Sequence, residues 1–227
     1  LVKSVHDSQQ LIDVLYALAL PDTLPEDNTV AALCDLTQVQ QQQIWQFNAL
    51  IRLLDQQLLL PLLDLALPLF SDLKRVTQQK VIAQLAKILT PQPFTSFKFC
   101  LWVLLKKRVP RLGLNLSITD STVAISSLIG MLCQQTRLSE AEQANCYLKV
   151  LKDLPLKTPP EFSRVAKLNI IQLNLELSKL NKLNAKYKAR LLQHATELLR
   201  KDMPLAQVQQ LLRGIAEALE SPVPPLA

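Results

Sequence analysis

Few of the 227 residues have types and spacings suited to chemistry. Histidine occurs twice, as His6 and His194, in distant segments, and no H-E-x-x-H places two imidazoles on one helical face to hold zinc. The four cysteines, Cys34, Cys100, Cys133 and Cys146, lie far apart without C-x-x-C spacing, each in an apolar run. They read as buried free thiols of a reducing compartment rather than as ligands or a disulfide framework. Glycine stands only at 113, 130 and 214, so no Gly-rich loop can cradle a phosphate, and no G-x-S-x-G elbow exposes a nucleophilic serine. Carboxylate pairs such as Glu140/Glu142 and Glu217/Glu220 read as solvated helix surface. His194, with Lys188 and Arg190 nearby, is expected on the outer side of its helix. The expectation is a non-enzyme with no catalytic residue, metal ligand or cofactor of its own.

One charged run could make contacts. Lys106, Lys107, Arg108 and Arg111 close an apolar helix, where cations suit the negative end of the helix dipole. The same residues could touch lipid headgroups or a protein partner. Nucleic acid is disfavoured, because no stacking aromatics interleave these bases and no helix carries a dense basic stripe. The charge is uneven along the chain. Residues 1–73 hold two bases against nine acids, a net of −7, whereas residues 74–227 carry a net of +13. A basic part of that size can serve solubility or attract an anionic surface.

The elements that must carry these residues read as helices throughout. Three glycines, few aromatics and abundant Leu, Gln and Lys suit helices and not sheets. Residues 8–20 place Leu11, Ile12, Leu15, Leu18 and Ala19 on one face, and Pro21 stops the run. A short helix through Cys34 is expected after the acidic connector. Thr37 caps a Gln-rich helix with Ile44, Phe47, Leu50, Ile51 and Leu54 inward. The prolines of Leu58–Phe70 predict two short helices there, too interrupted for a membrane span of ~20 residues. Helices follow from Thr77, from Thr95 or Ser96, and at about 119–137, 139–153, 160–181, 185–201 and 205–219. Ser139 with Glu142 makes a capping box. No run alternates with the period of a strand.

A weak internal repeat links two of these hairpins. Apolar positions 81, 82, 85, 88 and 89 match 191, 192, 195, 198 and 199. After a one-residue slip, Phe94, Phe97, Leu101 and Leu104 match Leu205, Val208, Leu212 and Ile215. Leu85, Ala195, Leu101 and Leu212 are then expected inside, and Gln84 and Gln193 outside.

Three strings, SQQLIDVLYALAL, LPLLDLALPLFSDLKRVTQQKVIAQLAKIL and the closing LLRGIAEALESPVPPLA, together resemble one family. It is the C-terminal region of bacterial membrane-bound zinc metallopeptidases related to the heat-shock protease HtpX and the CAAX-prenyl proteases. The chain, starting at LVKSVHDSQQ, accordingly reads as a piece of something longer. The resemblance implies an accessory domain whose hairpins look like TerB-type helical units, with zinc only in an upstream protease domain. It also implies a place at the cytoplasmic face of the inner membrane, as part of a membrane-anchored protein. Where TerB-like turns carry a glutamate, Lys98 stands in the first hairpin. The second keeps Asp202 but offers Gln207, Gln209 and Gln210, too few oxygen ligands for a hard cation.

The expectation is therefore an all-α bundle of about ten or eleven helices. Its parts are an N-terminal layer (residues 1–73) and TerB-like units at 74–158 and 159–227. Its function is a non-catalytic interaction or regulatory domain of a membrane-bound zinc metallopeptidase, contacting a protein partner or the parent protease domain. The alternative is a freestanding helical adaptor that binds an anionic membrane surface or nucleic acid through the basic part.

Overall fold

The computed structural model describes residues 8–21, 35–109, 121–154, 161–162, 169–200 and 203–225. Among them run ten α-helices and a 3-10 turn at Leu180–Lys182, with no strand. The chain divides into two compact units, Leu1–Pro110 and Arg111–Ala227. The division falls between the boundaries expected at 73 and 158. The expected short helix through Cys34, together with His6, Arg111 and Asp202, lies outside the described residues.

The first unit is arranged around α1 (Ser8–Ala19), which touches α2 (Gln38–Arg52), α3 (Gln56–Asp72), α4 (Arg75–Leu89) and α5 (Ser96–Arg108). A single buried face was expected for α1. Instead every residue from Leu11 to Leu20 is buried, as befits a helix apolar nearly all round. Full burial strands the C-terminal carbonyls of α1 away from water. Two side chains reach them, Asn48 Nδ2 donating to the Ala17 carbonyl (3.0 Å) and Gln92 Nε2 to Ala19 (3.0 Å), and an Arg52 Nη donates to the Pro21 carbonyl just past the helix end (3.1 Å). With this contact α2 departs from its expected setting. Asn48 points inward with Ile44 and Ile51, while Leu50 is exposed and Phe47 half-buried.

Local caps agree with the sequence. Thr37 and Gln40 form a reciprocal capping box, Thr95 caps α5, and Ser139 with Glu142 forms the box expected at α7. At 58–70 the structure differs from expectation. A single helix, α3, runs through both Pro61 and Pro68. Each proline denies a hydrogen bond to the carbonyl four residues back, on Gln57 and Asp64. All four residues lie on the exposed side, where water replaces the lost donor. The Asp55 carboxylate caps the start by accepting from the Gln57 N–H (2.9 Å).

The second unit is built around α6 (Ser121–Gln134), which touches α7 (Glu140–Lys152), α8 (Ile170–Lys179) and α9 (Ala185–Leu199). Helix α10 (Leu205–Ala218) packs on α8 and α9. Residues Leu128–Cys133 of α6 are buried without interruption.

The expected placement as part of a membrane-anchored protein is corrected here. Among the described residues no helix is long and apolar enough to cross a membrane. The longest of these helices, α3, has 17 residues, so spans only about 26 Å, and carries Asp64 in its middle.

Candidate functional site

Several polar groups inside the first unit tie helices together. Lys98 is 4% exposed, and its Nζ donates to Gln92 Oε1 at 2.8 Å. The Gln92 amide in turn donates to the carbonyls of Ala19 and Ile88 (3.0 and 2.7 Å). The lysine charge is thereby relayed onto the negative end of α1, beside the direct contribution of Arg52. That arrangement explains a buried lysine without catalysis. Asp13, equally buried, accepts from Gln9 Nε2 within its own helix (2.9 Å). Burial, aided by the Asp13 charge, raises the pKa of the Tyr16 phenol well above its ordinary value.

In the second unit the thiol of Cys133 is pushed up to about 12 by burial and by neighbouring Cys146. Those two cysteines, distant in sequence, are brought together across the α6–α7 hairpin. Tyr147 is likewise pushed up by burial, partly offset by the Ser126 hydroxyl. Its ring sits 5.3 Å from that of Phe162. Burial withdraws Cys133 from water and holds it as a thiol, the opposite of what a nucleophile requires.

Among the described residues no three His, Cys, Asp or Glu side chains gather where they could hold a metal ion. His194, expected outward, has a side chain only 14% exposed, with Nδ1 3.9 Å from a Glu197 carboxylate oxygen. It caps no dyad.

The basic run at the end of α5 divides its roles. Arg108 donates to the Leu104 carbonyl at 2.8 Å, closing the helix end. Lys106 lies over the Trp102 ring, 6.0 Å from its centroid, and both Lys106 and Lys107 are exposed. Arg111 lies outside the described residues.

Sequence reasoning missed a different surface, on α3. The buried side of that helix is Leu62, Leu63, Ala66, Leu67 and Phe70. Its other side is also apolar. Leu58 is 51% exposed, Leu65 60% and Leu69 38%, and Pro61 and Pro68 are exposed between them. Positions 58, 61, 65, 68 and 69 recur at the spacing of one helical face and form a stripe about 16 Å long. Asp55, Asp64 and Asp72, all exposed, accompany it, and α3 contains no Lys or Arg. The signal in the sequence was the leucine content itself, since a helix with apolar residues on every side either is buried all round or presents one side to something else. Expecting two broken helices there hid the second face.

Compared with protein-family models, with curated proteins and with solved structures, the chain matches none. The class that fold and surface define is an all-α protein of two helical units with an exposed apolar helix face.

Proposed function

We propose that this chain is a non-catalytic helical interaction domain that works by protein–protein contact. The observation that carries the reading is the apolar outer face of α3. Exposed leucines scattered singly are ordinary, but a continuous stripe along three turns marks a contact surface. The inward use of Lys98 supports the same reading, because its ammonium is engaged through Gln92 in tying helix ends together, and burial holds Cys133 as a thiol. The resemblance to zinc metallopeptidase C-terminal regions makes a peptidase domain the natural partner, with the α4–α5 and α9–α10 hairpins as TerB-like units.

The test is site-specific photo-crosslinking in cells with the chain in its full gene product. A photoreactive residue at position 58 or 65 is expected to give a discrete protein adduct, and one at exposed Gln209 none. Adducts of equal yield at all three sites, or none at 58 and 65, would refute the contact surface. A reading frame without an upstream H-E-x-x-H would remove the peptidase from the proposal while leaving the contact.

A further inference from the structure

Building on that reading, we infer that the outer face of α3 takes a cationic amphipathic helix. The inference rests on the combination of shape and charge along one helix. The stripe of Leu58, Pro61, Leu65, Pro68 and Leu69 offers apolar contact over about three turns, the length of an 11-residue helical partner. Asp55 stands at the start of that stripe, Asp64 at its middle edge and Asp72 at its end. Every charge on α3 and its N-cap is therefore negative. A partner with leucines at i, i+3/i+4 and i+7 covers the stripe, and lysines or arginines on its flanks meet these carboxylates.

Like charge discriminates as strongly as opposite charge attracts. An amphipathic helix of the same apolar pattern flanked by glutamate would place carboxylate against carboxylate, and α3 supplies no cation to relieve it. The carboxylates thus set which helix binds and the approach rate, while the leucines supply the retention.

The experiment uses the full chain and two model peptides about four turns long. Both carry the same leucine pattern, one with lysine and the other with glutamate on the polar face. Fluorescence anisotropy is expected to show the lysine peptide binding at least about tenfold more tightly than the glutamate peptide. Leu65→Asp should abolish most of that binding with unchanged thermal unfolding, since Leu65 is already exposed. Asp64→Asn with Asp72→Asn should weaken it about threefold and flatten its salt dependence, as exposed ion pairs are weak and screened.

Equal binding of the two peptides would overturn the inference, as would lysine-peptide binding that survives Leu65→Asp. Concentration-dependent self-association lost in Leu65→Asp would assign the face to a second copy of the chain, and so would overturn it too. A cellular adduct at position 65 together with no preference between the peptides would sink this inference and leave the contact surface standing. Absence of the adduct would remove the contact surface itself.

Discussion

The hairpins α4–α5 and α9–α10 carry matched apolar positions, yet they are buried to different degrees. Their first helices agree in full: Val81, Ile82, Leu85, Ile88 and Leu89 are buried, and so are Leu191, Leu192, Ala195, Leu198 and Leu199. Their second helices share Phe97, Leu101 and Leu104 with Val208, Leu212 and Ile215, all buried. Leu205 is exposed, however, and its counterpart Phe94 is half-buried against Phe99, with ring centroids 5.7 Å apart. The larger contrast is on the remaining side. Lys98 and Trp102 of α5 are buried, whereas their counterparts Gln209 and Arg213 are exposed and half-buried. Helix α5 is enclosed on every side from Ser96 to Leu105, while α10 keeps a side open. A shared apolar period therefore specifies the shared face and says little about the other three.

The largest effect should come from the shared positions, where the hairpins are alike. Leu101→Ala and Leu212→Ala should each cost ~2–5 kcal/mol in denaturant unfolding, the range for buried large-to-small changes. A loss under about 1 kcal/mol at one of them would break the equivalence. Lys98→Ala should cost ~1–3 kcal/mol, because it leaves Gln92 Oε1 without its buried donor. Gln209→Ala, at the matching exposed place, should cost under about 0.5 kcal/mol.

The central helices on which the hairpins lean can be separated by alkali. The Cys133 thiol in α6 has its folded pKa raised from 9.0 to about 12. The folded state therefore holds that proton more tightly than the unfolded one. Its contribution is complete below pH 9 and is lost as pH rises towards 12, on the order of 1 kcal/mol by pH 10. Cys133→Ala should lower stability at neutral pH through its cavity, yet show a shallower fall between pH 9 and 11. Parallel curves for the two proteins would exclude this origin.

Smaller still is the contrast between two glutamines of the first helices, Gln84 at the place of His194 and Gln193 at that of Ala83. Both were expected outward, but Gln84 is 8% exposed and Gln193 is open to solvent, where it donates to Glu197 (3.0 Å). Gln84→Ala should cost about 1 kcal/mol and Gln193→Ala under about 0.5 kcal/mol, by urea midpoint at constant slope. Equal costs would show that burying Gln84 contributes no more than leaving Gln193 exposed.

What the sequence determined by itself is local: the all-α class, the capped starts at Thr37, Thr95 and Ser139, and the shared core faces of the repeat, whereas the helix expected from about 160 starts at Ile170, behind the Asn169 cap. The caps at Thr37, Thr95 and Ser139 depend on residues within three positions, and periodicity needs only one helix to be read. What the tertiary structure decided is which remaining sides are covered. Leu50 faces out and Asn48 in, where Asn48 Nδ2 donates to the buried Ala17 carbonyl near the end of α1, a helix far away in sequence. Lys98, polar by type, is inside because Gln92 offers its charge a path to that same helix end. The prolines of α3 by themselves predict breaks, but their lost hydrogen bonds fall on the solvent side, where a helix can tolerate them. The candidate contact face followed from that last decision, since only an unbroken helix aligns Leu58, Leu65 and Leu69 on one side. Burial is a property of neighbours brought from elsewhere in the chain, and a period of 3.6 residues carries no record of them.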